Sequence, residues 1–379
     1  AGYSGRTSGK MCTKGDLTWQ INKHHSIKTG FDAIFHEISI NNKPVRNVYR
    51  NEPALFDSIL YDYGNHMVIL PEEFWELELV PDTVFGMDNY TKKPYEFSGF
   101  IQDKMEFDEM TINIGFRYDY FNSNTVYPTN YRNPANQIYY PDSLRDERYS
   151  KYPDAEPQVQ ISPRFGLSYS LSDVASLHFA YGHFFQMPQL SSFYSNHRFL
   201  ISETDYASTL GNPNLKAQKT VKYELGLQQE LMPDLLLDIS IFYKDIYNLT
   251  TVKVRETYNR VRYGLYGNKD YGNTKGLELK MDYYNRPWTF GVNYTLMYTR
   301  GNASDPNSTY NAISGNADPV PVLIPMPWDQ RHTFNFNIGY IHRNYGVNMV
   351  GIYNSGTRYT WTTIQESRLQ KVRMYVNNA

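Results

Sequence analysis

At 379 residues the chain is too long for one small core and suits either one large all-β body or two ordinary domains. Its 37 basic and 39 acidic residues leave a formal net charge of −2, which supplies no electrostatic footprint for nucleic acid. Its single Cys12 excludes an internal disulfide and any zinc site built from several thiolates.

The elements read in chain order as hairpins. Residues 17–21 and 26–35 flank Asn22-Lys23-His24-His25, and 95–107 and 110–121 flank Asp108-Glu109. Residues 164–171 and 175–184 flank Ser172-Asp173, and 220–230 and 235–245 flank Met232-Pro233-Asp234. Residues 274–284 and 288–300 flank Asn285-Arg286-Pro287, and 333–341 and 345–353 flank His342-Arg343-Asn344. Within them polar and apolar residues alternate. Leu235, Leu237, Ile239, Ile241 and Tyr243 oppose Asp238, Ser240 and Lys244, and Ile112, Ile114, Phe116, Tyr118 and Tyr120 oppose Asn113, Gly115, Arg117 and Asp119. Strand side chains point to opposite faces in turn, so each segment has one greasy and one wet face.

The hairpins supply about twelve strands, several of roughly 9–11 residues, the length of a tilted membrane-spanning strand. Long connections over 37–94, 122–163, 185–219, 246–273 and 301–332 carry much of the Asn, Pro, Asp and Tyr. Residues 250–258 and 259–266 read as a further hairpin rising above the rim. Tyr is the outlying count, 35 against 24 Gly, and its amphipathic ring belongs where hydrocarbon meets water. Aromatics such as Tyr283, Tyr284 and Trp288 gather at strand ends, where interfacial girdles fall. No stretch approaches the roughly 18 consecutive apolar residues of a membrane helix. The expected fold is therefore all-β, an antiparallel up-and-down transmembrane barrel with short turns at one end and long loops at the other.

Several stretches together resemble the C-terminal barrel region of TonB-dependent outer-membrane receptors. They are Ile161-Ser162-Pro163-Arg164-Phe165-Gly166, then Gly211-Asn212-Pro213-Asn214-Leu215-Lys216 followed by Tyr223-Glu224-Leu225-Gly226, then Gly272-Asn273-Thr274-Lys275-Gly276-Leu277-Glu278, and Trp328-Asp329-Gln330-Arg331-His332. The chain departs from the resemblance at Ala217-Gln218, where the family often has Pro-Glu. The family barrel has about 22 strands, so residues 1–379 are expected to form a partial barrel domain. The plug and its energy-coupling box, the first strands and the last hairpin have no counterpart, and the expected product is an open or incompletely closed sheet. Ala1-Gly2-Tyr3-Ser4-Gly5 lacks the regions of a signal peptide, so either processing removed one or the chain begins inside a larger product. The resemblance implies residence in a Gram-negative outer membrane and uptake of a scarce bulky solute of the siderophore, cobalamin, oligosaccharide or peptide class. It also implies partnership with outer-membrane lipid, with a plug domain and, through the plug, with the inner-membrane TonB complex.

No catalytic constellation is visible, and neither an enzyme, a cofactor nor a metal site is expected. His24-His25 reads as solvated turn, His178 and His183 fall on opposite strand faces, and His332 suits a loop-to-barrel hydrogen bond. Glu72-Glu73 and Glu76-Glu78 match no calcium-loop spacing. Arg117, Asp119, Lys222, Glu224, Glu278, Lys280 and Asp282 are expected on the lumen side, because charge facing lipid is costly. They would form wall or dock a plug. Tyr127, Tyr131, Tyr139, Tyr140, Tyr194, His197, Arg198 and Tyr206 are the candidate ligand contacts, the alternative being that these rings pack loop against loop. Two other readings stay open, a barrel without coupling (adhesin or passive pore) and a secreted soluble glycan binder.

Overall fold

The computed structural model describes residues 2–49, 75–79, 88–134, 136, 150–302, 305–315 and 323–358. Twelve strands form one antiparallel path, each hydrogen-bonded to the next along the chain. They begin with β1 (Gly2–Gln20) and β2 (His25–Tyr49). Two short strands, β3 (Trp75–Leu79) and β4 (Asn89–Lys92), pair along the distal half of β2 and lie off the path. The path continues through β5 (Tyr95–Glu106), β6 (Met110–Asn122), β7 (Gln158–Ser172) and β8 (Ala175–Gln186). The short β9 (Thr209–Leu210) precedes β10 (Gln218–Met232), β11 (Leu235–Glu256), β12 (Arg262–Asn285) and β13 (Trp288–Gly301). The short β14 (Ile324–Pro325) precedes β15 (His332–His342) and β16 (Tyr345–Asn354). Two short helices, α1 (Ser191–Tyr194) and α2 (Ser308–Ser314), lie in the connections. The path ends at β1 and β16, and among the described residues no ladder joins them.

Register converts alternation into two faces. Leu225 on β10 is level with Ile241 on β11, Leu277 on β12 and Leu296 on β13, so a row of branched apolar chains crosses neighbouring strands. The next row holds Gly226, Ser240, Glu278 and Thr295 and faces the other way. Ile241 is 51% exposed and neighbouring Ser240 8%. The apolar rows thus point outward, as a wall against hydrocarbon requires, and do not meet across a dry interior. Gly276 belongs to the inward face, where an added Cβ would clash with the Leu296 carbonyl oxygen and lie 2.7 Å from the Phe242 ring. Glycine there lets Phe242 lie flat against the wall.

The short turns fall where the pattern breaks, with Asp234 between β10 and β11 and Arg343 between β15 and β16 taking positive φ of 69° and 31°. Two expected loops are corrected. Residues 246–273 are mostly strand, since β11 and β12 pair up to Glu256 opposite Arg262, with bulges near Leu249. Most of the expected rim hairpin thus continues the two strands that span the wall. Likewise β2 runs well past residue 37, and β1 follows it to the pairing of Gly2 with Pro44. Above the apolar band a ladder still satisfies the backbone outside these bulges, so pairing need not stop where the membrane does. The strands reach 25 residues in β2 and 24 in β12, well beyond the span length.

The expected solvated turn at His24-His25 is also corrected. His25 Nδ1 lies 2.8 Å from the Asp103 carboxylate, and His24 Nδ1 lies 2.7 Å from the Glu106 carbonyl with its ring stacked on Phe107 at 5.8 Å. The pair ties the β1–β2 turn to β5. His332 opens β15, and its Nδ1 lies 2.9 Å from the hydroxyl of Tyr294 on β13, so its bond joins two wall strands and not, as expected, a loop to the barrel.

Candidate functional site

The inward face is a charged wall that neutralises itself locally. Residues two apart on a strand share a face, which sets Arg117 beside Asp119, Lys222 beside Glu224 and Lys280 beside Asp282. The closest approaches are 2.8, 2.5 and 2.8 Å. Arg117 does more. Its Nη2 donates to Ser98 Oγ at 2.7 Å and its Nη1 lies 3.8 Å from Asp32 on β2. One guanidinium thereby bridges β2, β5 and β6. Glu278 makes no ion pair among the described residues.

Around Arg117 the wall opens into a cleft of about 360 Å³ lined by Asp32, Glu96, Arg117, Asp119, Gln158, Gln160 and Arg164. Glu96 is held by His36 at 2.7 Å, and Arg164 stacks over the Phe184 ring at 5.1 Å. The cleft therefore presents amide and carboxylate acceptors with fixed guanidinium donors, a surface for hydrogen bonding to a polar solute or a polar protein segment. Among the described residues no three His, Cys, Asp or Glu side chains gather as a metal site.

Phe121, Met187 and Ala217 close the cleft above. They lead into a core built by the connections. Ile38, Tyr90, Phe121, Phe193, Tyr194 and Leu215 bury one another there, with Met187 and Leu190 against them. The short α1 turn delivers Phe193 and Tyr194 side by side, each 1% exposed. A second core of Phe199, Leu210, Tyr263 and Leu265 joins the loop after β8 to the risen part of β12. The long connections thus fold over the mouth of the wall, their aromatic side chains supplying the area that holds them there.

These cores decide where the candidate ligand contacts stand. Tyr194 is a correction: its ring is enclosed and its hydroxyl donates to the Ser123 carbonyl at 2.6 Å, so it packs and presents no surface. Burial pushes its phenol well above the ordinary range. Tyr127 and Tyr131 pack against the second core, and Tyr263 donates its hydroxyl to the Tyr131 carbonyl. The Tyr131 hydroxyl is buried without a hydrogen-bond partner among the described residues, and burial raises its pKa too. His197 lies over Tyr90 at 4.9 Å with Nδ1 3.3 Å from Asp88. Tyr206 meets Tyr310 edge-on at 5.7 Å and accepts a bond from Arg262. Arg198 is partly buried beside Phe199, and Tyr139 and Tyr140 lie outside the described residues. Loop-to-loop packing therefore accounts for Tyr127, Tyr131 and Tyr194, although all three lie in polar connections.

Sequence reading missed Asp32, Glu96, Ser98, Gln158, Gln160 and Arg164. Each stands on the same face as Arg117 in the observed register, so a correct pairing table would have found them. Alternation alone gives the face of one strand and not its height against the next.

The sequence matches the family described as TonB dependent receptor-like, beta-barrel, over residues 14–373. No curated protein sequence matches it. Among solved structures it is similar to the outer-membrane transporter YddB of Escherichia coli, with TM-score 0.56, 13% identity, and coverage of 89% of this chain and 40% of that one. It is similar to a double mutant of the Serratia marcescens hemophore receptor HasR, solved with its hemophore HasA and heme (TM-score 0.55, 13% identity, 93% and 52% covered). It is also similar to a mutant of the ferric enterobactin receptor PfeA of Pseudomonas aeruginosa, solved with enterobactin (TM-score 0.56, 13% identity, 93% and 43% covered). The chain spans about half the length of these structures or less, and the likeness concerns the fold. An outward apolar face, an inward hydrated wall, loops folded over its mouth and a family match across nearly the whole length converge: the chain belongs to the TonB-dependent receptor-like β-barrel family, outer-membrane receptors and not enzymes.

Proposed function

We propose that this wall and its folded-over loops serve TonB-dependent uptake of a scarce, bulky solute across the outer membrane. The cleft around Arg117 carries the reading. It lies on the lumen side, directly beneath the loop core, where a captured solute or a plug segment would meet fixed donors and acceptors. The paired charges Lys222–Glu224 and Lys280–Asp282 extend that surface across the wall, and Glu278 adds an acceptor without a cation of its own. A plug domain docked there would pass the energy of the inner-membrane TonB complex to the site. Tyr206, His197 and Arg198 remain the loop residues proposed for solute capture, together with Tyr139 and Tyr140 of the 122–163 connection. Siderophore, cobalamin and oligosaccharide classes are the proposed range; two of the matched structures hold heme with its hemophore and enterobactin.

The test is uptake by cells expressing the protein from its own gene, with labelled ferric siderophores, cobalamin and oligosaccharides offered in turn. At least one should accumulate, and accumulation should collapse when TonB is deleted. Entry that persists at full rate without TonB, or steady open-pore conductance in planar bilayers, would refute coupled uptake.

A further inference from the structure

Asp88, at the foot of β4, holds a turn that belongs to another connection. Its Oδ2 accepts from the Asn196 backbone N–H at 3.0 Å, and its Oδ1 accepts from the His197 backbone N–H at 3.4 Å. The same Oδ1 lies 3.3 Å from His197 Nδ1. Two successive backbone N–H groups and an imidazole nitrogen therefore converge on one anion. Asn196 takes a positive φ of 50°, and a left-handed residue in such a turn aims neighbouring amides to one side, as in the backbone nests that bind anions.

The turn is fixed by contacts that do not involve Asp88. Asn196 Oδ1 accepts from the Leu200 N–H at 3.0 Å, and the Phe199 N–H donates to the Asn196 carbonyl at 2.8 Å. Phe199 is 3% exposed and anchored in the second loop core, although its φ of 56° is unfavourable for so bulky a residue. The nest thus keeps its shape without its carboxylate. It is also within reach of solvent, the side chains of Asp88 and His197 keeping 26% and 16% of their surface exposed. Arg6 on β1 is level with Ile40 on β2 and, through it, with Tyr90 on β4, whose ring carries His197. Its guanidinium therefore stands on the same face as Tyr90, two strand spacings or roughly 10 Å away. Among the described residues Arg6 has no carboxylate within ion-pair distance.

We infer that the Asn196–His197 turn is a seat for a carboxylate of the incoming solute, and that Asp88 occupies it as a built-in stand-in until the solute displaces it. The exchange replaces one carboxylate by another, so the bonds at the nest balance. A tethered carboxylate competes at an effective concentration of about millimolar or more, which turns away simple acids. A polycarboxylate gains a further bond, because a second carboxylate reaches the forked donors of Arg6. The inference rests on the reading that these loops capture a solute, and it names the chemistry by which His197 takes part.

The probes are acetate and tricarballylate, added at constant ionic strength to the detergent-purified protein, with amide hydrogen exchange followed across 88–94 and 194–201. Asp88→Ala should speed exchange at 196–197 by about tenfold, and acetate should slow it again where chloride does not. On the unsubstituted protein tricarballylate should speed exchange across 88–94 while 196–197 stay protected, and Arg6→Gln should weaken that effect. Failure of acetate to restore protection in Asp88→Ala overturns the inference and leaves Asp88 a loop tether. Tricarballylate that loosens both segments together, or neither, overturns it as well. Should Asp88→Ala not fold, the tricarballylate comparison on the unsubstituted protein decides alone. None of these readouts involves transport, so their failure leaves coupled uptake standing, and loss of uptake without TonB is scored separately.

Discussion

Reversing the polarity of one position in the middle of β12 tests the orientation of the whole wall. The outward row from Tyr283 to Lys275 covers about eight residues, roughly 27 Å of strand at ~3.4 Å per residue. Tilted by about 40°, it rises roughly 21 Å, close to the ~25 Å apolar band of an outer-membrane barrel. Leu279 is half-way along, level with Ile239 on β11 and Tyr294 on β13. Leu279→Arg places a cation near the bilayer midplane and should cost about 2–4 kcal/mol. Glu278→Arg, one residue away, points inward, where Glu278 has no ion pair to lose, and should cost about 0–1 kcal/mol. Each variant would be unfolded by denaturant from phosphatidylcholine vesicles and followed by Trp fluorescence and by the gel shift of the unheated barrel. Equal costs for the two, or a larger cost for Glu278→Arg, would show that the faces are assigned backwards.

Arg117→Ala and Asp119→Ala, measured singly and together, should reveal a coupling of about 1–2 kcal/mol, a modest figure because both side chains keep nearly a third of their surface in solvent. A coupling within about 0.3 kcal/mol of zero would make the bridge ornamental. Phe193→Ala should remove about 3–5 kcal/mol from the loop core and raise hydrogen exchange across 88–94 and 189–215, while the barrel strands keep their protection. Uniform loss of protection would contradict a separable loop core. Asp270 lies on the risen part of β12, beyond the spanning segment, where burial raises its carboxyl pKa despite a Thr251 hydrogen bond and nearby Lys269 and Lys253. A raised folded-state pKa favours the fold below the unfolded carboxylate range and loses that advantage as pH climbs through the folded value. Asp270→Asn should therefore match the parent in acid and gain stability over it towards neutral pH, and a constant difference from pH 4 to 7 would count against a buried, strained carboxylate.

The wall was legible in the sequence because its information is local. Alternation in β6, β11 and β12 assigned the faces of Arg117, Ser240 and Leu279 without knowledge of any neighbour. Turn residues at Met232-Pro233-Asp234 and Asn285-Arg286-Pro287 set the hairpin boundaries to within two residues. Strand length above the membrane was not legible, since residues 246–273 lose the apolar alternation while keeping their ladder. Nor were the loop cores. Phe193, Tyr194, Leu215 and Tyr90 come from connections far apart in the chain, and each sits among polar neighbours that mark a solvated loop. Only the tertiary meeting of these segments makes Tyr194 a packing residue, and composition carries no trace of that meeting.

The same contrast explains how the two halves of the molecule divide their work. Wall charges are satisfied by partners two residues away on the same strand, as in Lys222–Glu224, or one strand over, as in Arg117–Ser98. Such a wall is electrostatically self-contained, and it offers hydrogen bonds more than net charge. The loops are held instead by aromatic burial between distant segments, and their mouth contacts can yield one cluster at a time. The Arg117 cleft lies where the two regimes meet, with Phe121 belonging to both the wall and the loop core. A displacement of the Phe193–Tyr194 turn would thus reach the cleft roof through Phe121 and Met187, which touch both the cleft and the loop core, before it reached any wall ion pair.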